Sequence, residues 1–282
     1  TRCSRDWSSD VCSSDLMIRL LENPSDLDRL AEKEPVLAAM AASSATAFSE
    51  DPERLRCFGE YDETGGLVAA ADFTSRAVLL LCETGGFSGE MLDFLKKMLP
   101  GGNFIGILCG EKALPVLKKE FSIIEHEETA MACSSLFVPP ASAFHAEPPR
   151  HFSDVWELLA GVDEGFAKGD REAWLLRILR GARKGQTTVQ MIYDGEMPAA
   201  TASIRGRCAA CGVITSVATR EEYRGLGMAS YLTYLCAKEL LDSGRTAWLV
   251  PSGENSARLY EALGFRRIYS QYSCKINNEE LK

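Results

Sequence analysis

The chain has 282 residues, of which 46% are hydrophobic and 25% charged, and it carries a net charge of −9. That length is generous for one domain and comfortable for two, and the acidic balance argues against nucleic-acid binding through bulk charge. Apolar runs such as 77–82 are of strand length, too short to cross a bilayer, so no membrane partner is expected.

Residues 1–16 repeat Ser-Ser-Asp, have neither helix nor strand period, and resemble a translated sequencing adapter. They lack an apolar core, so no signal peptide is expected before Met17, and they are set aside from the fold. Met17-Ile18-Arg19-Leu20-Leu21 reads as a first strand. Of the ten cysteines, Cys82, Cys109, Cys133 and Cys236 sit in apolar runs, the pattern of buried, reduced thiols and a cytoplasmic location. Strands are expected at 67–73 and 77–82, and a helix over 87–99. The proline-rich stretch 139–150 denies a helix or central strand its backbone donors and reads as a linker. It divides the chain into domains at 17–138 and 151–282.

Beyond the linker, helices are expected at 152–160 and 170–183. Strands follow at 187–193, 199–204 and 210–218, with Asp194-Gly195 as a hairpin turn. A helix from Met228 to Leu241 carries Met228, Tyr231, Leu232 and Leu235 on one face. A strand over 246–250, a helix over 255–263 and strands over 265–275 complete a mixed α/β (α+β) domain. The N-terminal segment repeats this order more faintly. Residues 104–121 align with 248–265 at an offset of 144, placing Ala113 on Ala257 and Phe121 on Phe265. This reads as a duplication.

The chemistry concentrates at Arg224-Gly225-Leu226-Gly227-Met228-Ala229, between a strand and an amphipathic helix. Glycines let successive amides turn inward, and with the helix N-terminus they form an anion site. Such a loop alone is weak evidence, since many strand–helix turns hold glycines for steric reasons. Together with Asn255-Ser256-Ala257-Arg258-Leu259-Tyr260 and Gly264-Phe265 downstream, the loop resembles two signature elements of the GNAT superfamily of N-acetyltransferases. The likeness covers about 152–275, and the two-domain layout also resembles glycine-acyltransferase-like members.

The resemblance implies tandem GNAT-like domains, each a mixed, mostly antiparallel sheet flanked by helices. The expected activity is transfer of an acyl group, acetyl first, from acyl-CoA to a primary amine of a small molecule or peptide, by direct attack in a ternary complex. It places Val217 and Thr219 along the pantetheine and Arg224, Gly225, Gly227, Met228 and Ala229 around the pyrophosphate. Asn255 would lie by the pantetheine or substrate, and Tyr260 would be the acid that protonates the departing thiolate. Asn255 could equally cap a helix, and Tyr260 could be core. No base is assigned. Asp163 and Glu164, in a loop between helices, could face an amine, but surface charge explains them equally well. Arg205, Arg207, Arg220 and Arg224 give this region positive charge that would suit CoA phosphates, although scattered surface arginines are the default reading.

Cys208-Ala209-Ala210-Cys211 lacks the further ligands of a structural zinc and sits at a hairpin rather than a helix start, so no metal is expected. The N-terminal copy lacks the glycine loop, and at the aligned offset Glu111 and Val116 replace Asn255 and Tyr260. It is expected to keep the fold without CoA chemistry, so that a monomer would act as a pseudo-dimer. Two other readings remain: a non-catalytic acyl-CoA sensor, and an interaction module of two degenerate domains.

Overall fold

A computed structural model describes residues 17–49, 57–73, 77–83, 86–101, 104, 106–139 and 144–276. The adapter-like stretch 1–16, linker residues 140–143 and the last six residues lie outside this set. The N-terminal half contains β1 (Met17–Leu20), α1 (Asp28–Ala31), α2 (Pro35–Phe48), β2 (Cys57–Tyr61), β3 (Leu67–Asp72), β4 (Ala77–Cys82), α3 (Gly89–Gly101), β5 (Gly106–Gly110), α4 (Leu114–Glu120) and β6 (Ile123–Cys133). The C-terminal half contains α5 (Phe152–Val162), α6 (Glu164–Ala167), α7 (Arg171–Arg183), β7 (Thr188–Asp194), β8 (Met197–Arg207), β9 (Cys211–Thr219), α8 (Met228–Asp242), β10 (Thr246–Leu249), α9 (Glu254–Ala262) and β11 (Arg266–Ile276).

Local sequence accounts for these elements. In α8, Met228, Leu232, Cys236 and Leu240 recur every four residues and are buried. In α3, Met91, Leu95 and Leu99 do the same. At the start of α5, the Asp154 carboxylate accepts from the His151 amide at 3.1 Å. The segment holding Asp163 and Glu164, expected as a loop, is the one-turn helix α6, and the Asp163 carboxylate caps it by accepting from the Phe166 amide at 2.9 Å.

The eleven strands among the described residues form one sheet, in the order β1-β2-β3-β4-β5-β11-β6-β10-β9-β8-β7. Each half therefore lends its final strand to the other: β11 lies between β5 and β6, and β6 lies between β10 and β11. The two strands pair antiparallel over ten positions, from Arg266↔Ala132 to Ile276↔Ile123. They start 143 residues apart, and so do Glu128 and Gln271, which face each other with the Gln271 amide donating to the Glu128 carboxylate at 3.0 Å. This pair therefore forms the seam between the two halves of the sheet.

Side chains alternate across the sheet, so each face has its own core. Leu79, Leu81 and Val213 pack under α2, while Val78 and Leu80 pack under α3 and α4. Ile214 and Leu249 pack under α8 and α9. Helices α5 and α7 cover Val189 and Met191 on the remaining quarter. α2 also reaches across this seam onto β8. A side chain at Gly206 would crowd the Ala39 backbone at 3.1 Å, so glycine eases this close approach.

Candidate active site

Strand β9 leaves its neighbour β10 early. They pair in parallel only at Cys211↔Thr246, Gly212↔Ala247 and Val213↔Trp248, although β9 continues to Thr219. At the parting, Ser216 and Val217 together oppose the single residue Ala202 of β8, forming a bulge, and Ser216 has φ +54°. The edge of β9 that faces away from β8 beyond Val213 therefore has unused backbone groups, as an extended ligand requires.

The chain then turns through Arg224–Gly227 into α8. Gly225 has φ +79° and Gly227 φ +87°, the left-handed region that L side chains rarely adopt. Gly227 is the N-cap of α8, and no side chain occupies that cap. The first amides of the fifteen-residue helix are thus open to an anion.

Parting and loop border a cleft of about 800 Å³. Val217, Thr219, Arg224, Gly225, Gly227, Met228, Ala229, Asn255 and Tyr260 all line it. Met228 and Tyr260 are buried, Val217, Thr219 and Ala229 half-buried, and the other four exposed. Burial pushes the Tyr260 phenol up to about 12, so it holds its proton at neutral pH. Asn255 does not cap α9. That place belongs to Gly253, whose amide donates to Ser256 Oγ at 3.1 Å, leaving Asn255 exposed on the cleft wall.

Asp163 is the one carboxylate among the residues lining the cleft. Glu164 is not among them, and Glu221 and Glu222 are exposed before the loop. The four arginines are scattered, as the default reading has them. Arg224 lines the cleft, but Arg207 bonds Glu239 at 2.6 Å, and Arg220 donates to the Pro198 carbonyl at 2.7 Å. Arg205 lies behind β9 instead, over the Trp174 ring at 5.8 Å. The irregular register of β8 separates Arg205 from Arg207, and Arg220 follows the end of β9.

Cys208 and Cys211 lie outside the cleft, at the turn between β8 and β9, with their sulfurs 3.0 Å apart. The Cys211 thiol and two backbone amides hold Cys208 down to about 7, while the pairing and burial push Cys211 up. Among the described residues, no three His, Cys, Asp or Glu side chains are gathered so as to hold a metal.

The corresponding notch in the N-terminal half is plugged from within. The buried Glu34 carboxylate accepts from the Cys82 amide at 3.2 Å, at the end of β4. It lies so close to β5 that a Cβ at Gly110 would overlap it. Burial raises Glu34 to about 7. Just before α3, the Ser88 amide donates to the Glu60 carboxylate at 3.3 Å. Carboxylates of the chain itself thus occupy places equivalent to those open in the C-terminal half. Sequence reading missed both, because nothing near Glu34 or Glu60 in the chain marks them as partners of β4 and α3.

Residues 192–274 match the family model described as FR47-like protein. No curated protein matches the chain. Solved structures share its fold at low identity. A GCN5-related N-acetyltransferase from Kribbella flavida is 15% identical with a TM-score of 0.56, the match covering 84% of this chain and 95% of that one. One from Sphaerobacter thermophilus is 18% identical with a TM-score of 0.54, covering 94% and 97%. A tandem GNAT protein from the clavulanic acid biosynthesis pathway is 13% identical with a TM-score of 0.56, covering 93% and 98%. The chain thus shares the fold of these GNAT structures, the tandem one among them, and within its C-terminal half residues 192–274 match the FR47-like family model.

Proposed function

We propose that the protein is an acyl-CoA-dependent N-acyltransferase that works from its C-terminal cleft and moves an acyl group, acetyl first, to a primary amine. The observation that carries this is the parting of β9 from β10 beside the left-handed glycine loop that opens α8. One cleft offers a strand edge for an amide-bearing arm and, at its end, helix amides for a pyrophosphate. The co-substrate supplies an activated thioester.

In this reading Val217 and Thr219 hold the pantetheine through their backbones. Gly225, Gly227, Met228 and Ala229 bind the pyrophosphate, with Arg224 at its rim. Asn255 orients the arm from the opposite wall. The amine must lose a proton before it attacks, and in this reading Asp163, the one carboxylate lining the cleft, takes it through water. As the carbon–sulfur bond breaks, the Tyr260 hydroxyl gives its proton to the thiolate. The protein acts in the cytoplasm. Its N-terminal half, with Glu34 and Glu60 where a pantetheine and a phosphate would sit, binds no CoA and serves as structural partner.

The test is a turnover screen of acetyl-CoA and longer acyl-CoAs against pooled amines, reading free thiol. Amine-dependent thiol release is expected. Tight acyl-CoA binding without turnover on any amine would favour a non-catalytic sensor.

A further inference from the structure

Strands β8 and β9 are joined through Cys208-Ala209-Ala210-Cys211, which follows directly on the Arg207↔Gly212 pair of their ladder. The Cys208 amide donates to the Cys211 carbonyl at 3.0 Å, so the two residues face each other at the closed end of the hairpin. Residues bonded in this way stand about 5.5 Å apart at Cα, inside the roughly 4.4–6.8 Å that a disulfide requires. Their sulfurs already lie 3.0 Å apart. The turn is held from both sides. The Ala209 amide donates to the Asp28 carboxylate of α1 at 3.0 Å, and Arg245 Nε donates to the Cys208 carbonyl at 2.9 Å. A bond between the sulfurs therefore asks only for small rotations of two side chains on a backbone that is already in place.

The two sulfurs differ in access. Cys208 lines a cavity of about 420 Å³ together with Ser25, Asp28, Gly185, Ala209 and Arg245. Ser25, Gly185 and Ala209 are exposed, so the cavity opens to solvent. Cys211 is not among its lining residues and lies deeper, its sulfur 3.4 Å from the Pro35 carbonyl at the start of α2. Protonation follows the same order. The Cys211 thiol and the turn amides hold Cys208 down to about 7 against burial and the nearby Asp28, whereas the pairing with Cys208, and burial, push Cys211 up. In many Cys-x-x-Cys motifs a helix N-terminus favours the thiolate; here a second thiol and a turn do so. The other described cysteines have no such access. Cys57, Cys82, Cys109, Cys133 and Cys236 are buried and pushed up, and Cys274, which Cys109 holds down, is fully buried with it.

We propose that Cys208 and Cys211 form a reversible dithiol–disulfide site that exchanges with small organic disulfides entering from the cavity. The site stands apart from the cleft and does not depend on the acyltransferase reading. Cys208, as thiolate, attacks one sulfur of the small disulfide. That sulfur–sulfur bond breaks, and the departing thiolate takes a proton from water, leaving a mixed disulfide on Cys208. Cys208 then carries no charge, so the pairing that kept Cys211 protonated is gone. Cys211 gives its proton to water and attacks the Cys208 sulfur, and the second small thiolate leaves and is protonated in turn. The chain loses two electrons and two protons, and one small disulfide becomes two thiols. The new ring encloses only the two alanines, so it gains little from loop closure and stays open to reduction.

The experiment uses the full chain, reduced and then freed of reductant, in graded ratios of oxidised to reduced glutathione. Samples are quenched in acid, alkylated after unfolding and digested with trypsin. Cleavage after Arg207 and Arg220 places both cysteines in the peptide 208–220, and Cys3 and Cys12 fall in other peptides. In the folded wild type this peptide should become lighter by two hydrogens, resist alkylation, and return to the dithiol as reduced glutathione is raised. The peptides of the other described cysteines should stay open to alkylation. Cys211→Ser should stop at the mixed disulfide on Cys208. In Cys208→Ser, Cys211 should react at least about tenfold more slowly than Cys208 does in Cys211→Ser. The proposal is overturned if the wild-type peptide stays reduced until denaturant is added, or if it stops at the mixed disulfide. Equal rates for Cys211 alone and Cys208 alone would overturn the assigned order of attack. The wild-type measurement needs neither variant to fold.

Discussion

Tyr260 can serve as an acid because of where its ring lies. It is buried against Phe265 at 6.0 Å between centroids, and it lines the cleft. Tyr260→Phe keeps the ring and removes the hydroxyl. We expect kcat to fall at least about tenfold, with melting temperature and acyl-CoA affinity nearly unchanged, because general acids contribute about 10²–10⁴-fold and water is a poor substitute. An unchanged kcat with lower stability would make Tyr260 a core residue only. Since its phenol is raised to about 12, Tyr260 should add no alkaline limb to the rate profile below about pH 10. Glu34 gives the opposite kind of test, in stability rather than rate. Its folded value is raised from 4.5 to about 7, so its contribution is intact below about pH 4.5 and is lost as pH rises toward 7. Glu34→Gln retains an acceptor for the Cys82 amide. It should raise stability at pH 8 by up to about 3 kcal/mol and change little at pH 4.5, read by chemical denaturation at both values. A variant equally destabilised at both would show that the carboxylate itself is needed.

At the scale of elements, legibility followed local periodicity. α8 was readable nearly to its ends because it has a buried residue every fourth position, and the hairpin strands β7 to β9 because turns such as Asp194-Gly195 bracket them. α2 was not, because it is apolar almost all round: α1, the sheet and α7 of the other half enclose it, which erases any amphipathic pattern. β6 was hidden for the opposite reason. Its run Ile124–Glu127 is exposed, and charged residues there break the alternation. The site motifs were legible because glycines at positive φ and a following helix are local facts. The plugging of the N-terminal notch by Glu34, and the burial of Arg205 beneath α2 and α7, depend on contacts far apart in sequence. The exchange of β6 and β11 has a consequence at this scale. A chain cut at a protease site engineered into the linker should stay together, because each fragment contributes a central strand to the other. One species in size-exclusion chromatography, separating only in denaturant, is expected; fragments that part under native conditions would contradict the exchange.

At the scale of the molecule, one sheet carries two unequal notches. The C-terminal notch is open and lined by amides and glycines, whereas carboxylates of the chain itself hold the N-terminal one. An acidic chain of net charge −9 further disfavours phosphate binding wherever helix amides are not free to receive it. The central claim is therefore one acyl-CoA site per chain, built on the loop before α8. The most direct measurement is calorimetric titration of acetyl-CoA into the wild type and into Gly227→Val, where a β-branched residue cannot readily take φ +87°. A stoichiometry of one for the wild type, and loss of binding in a variant that still folds, is the predicted result. Two equivalent sites, or unchanged affinity in Gly227→Val, would contradict it.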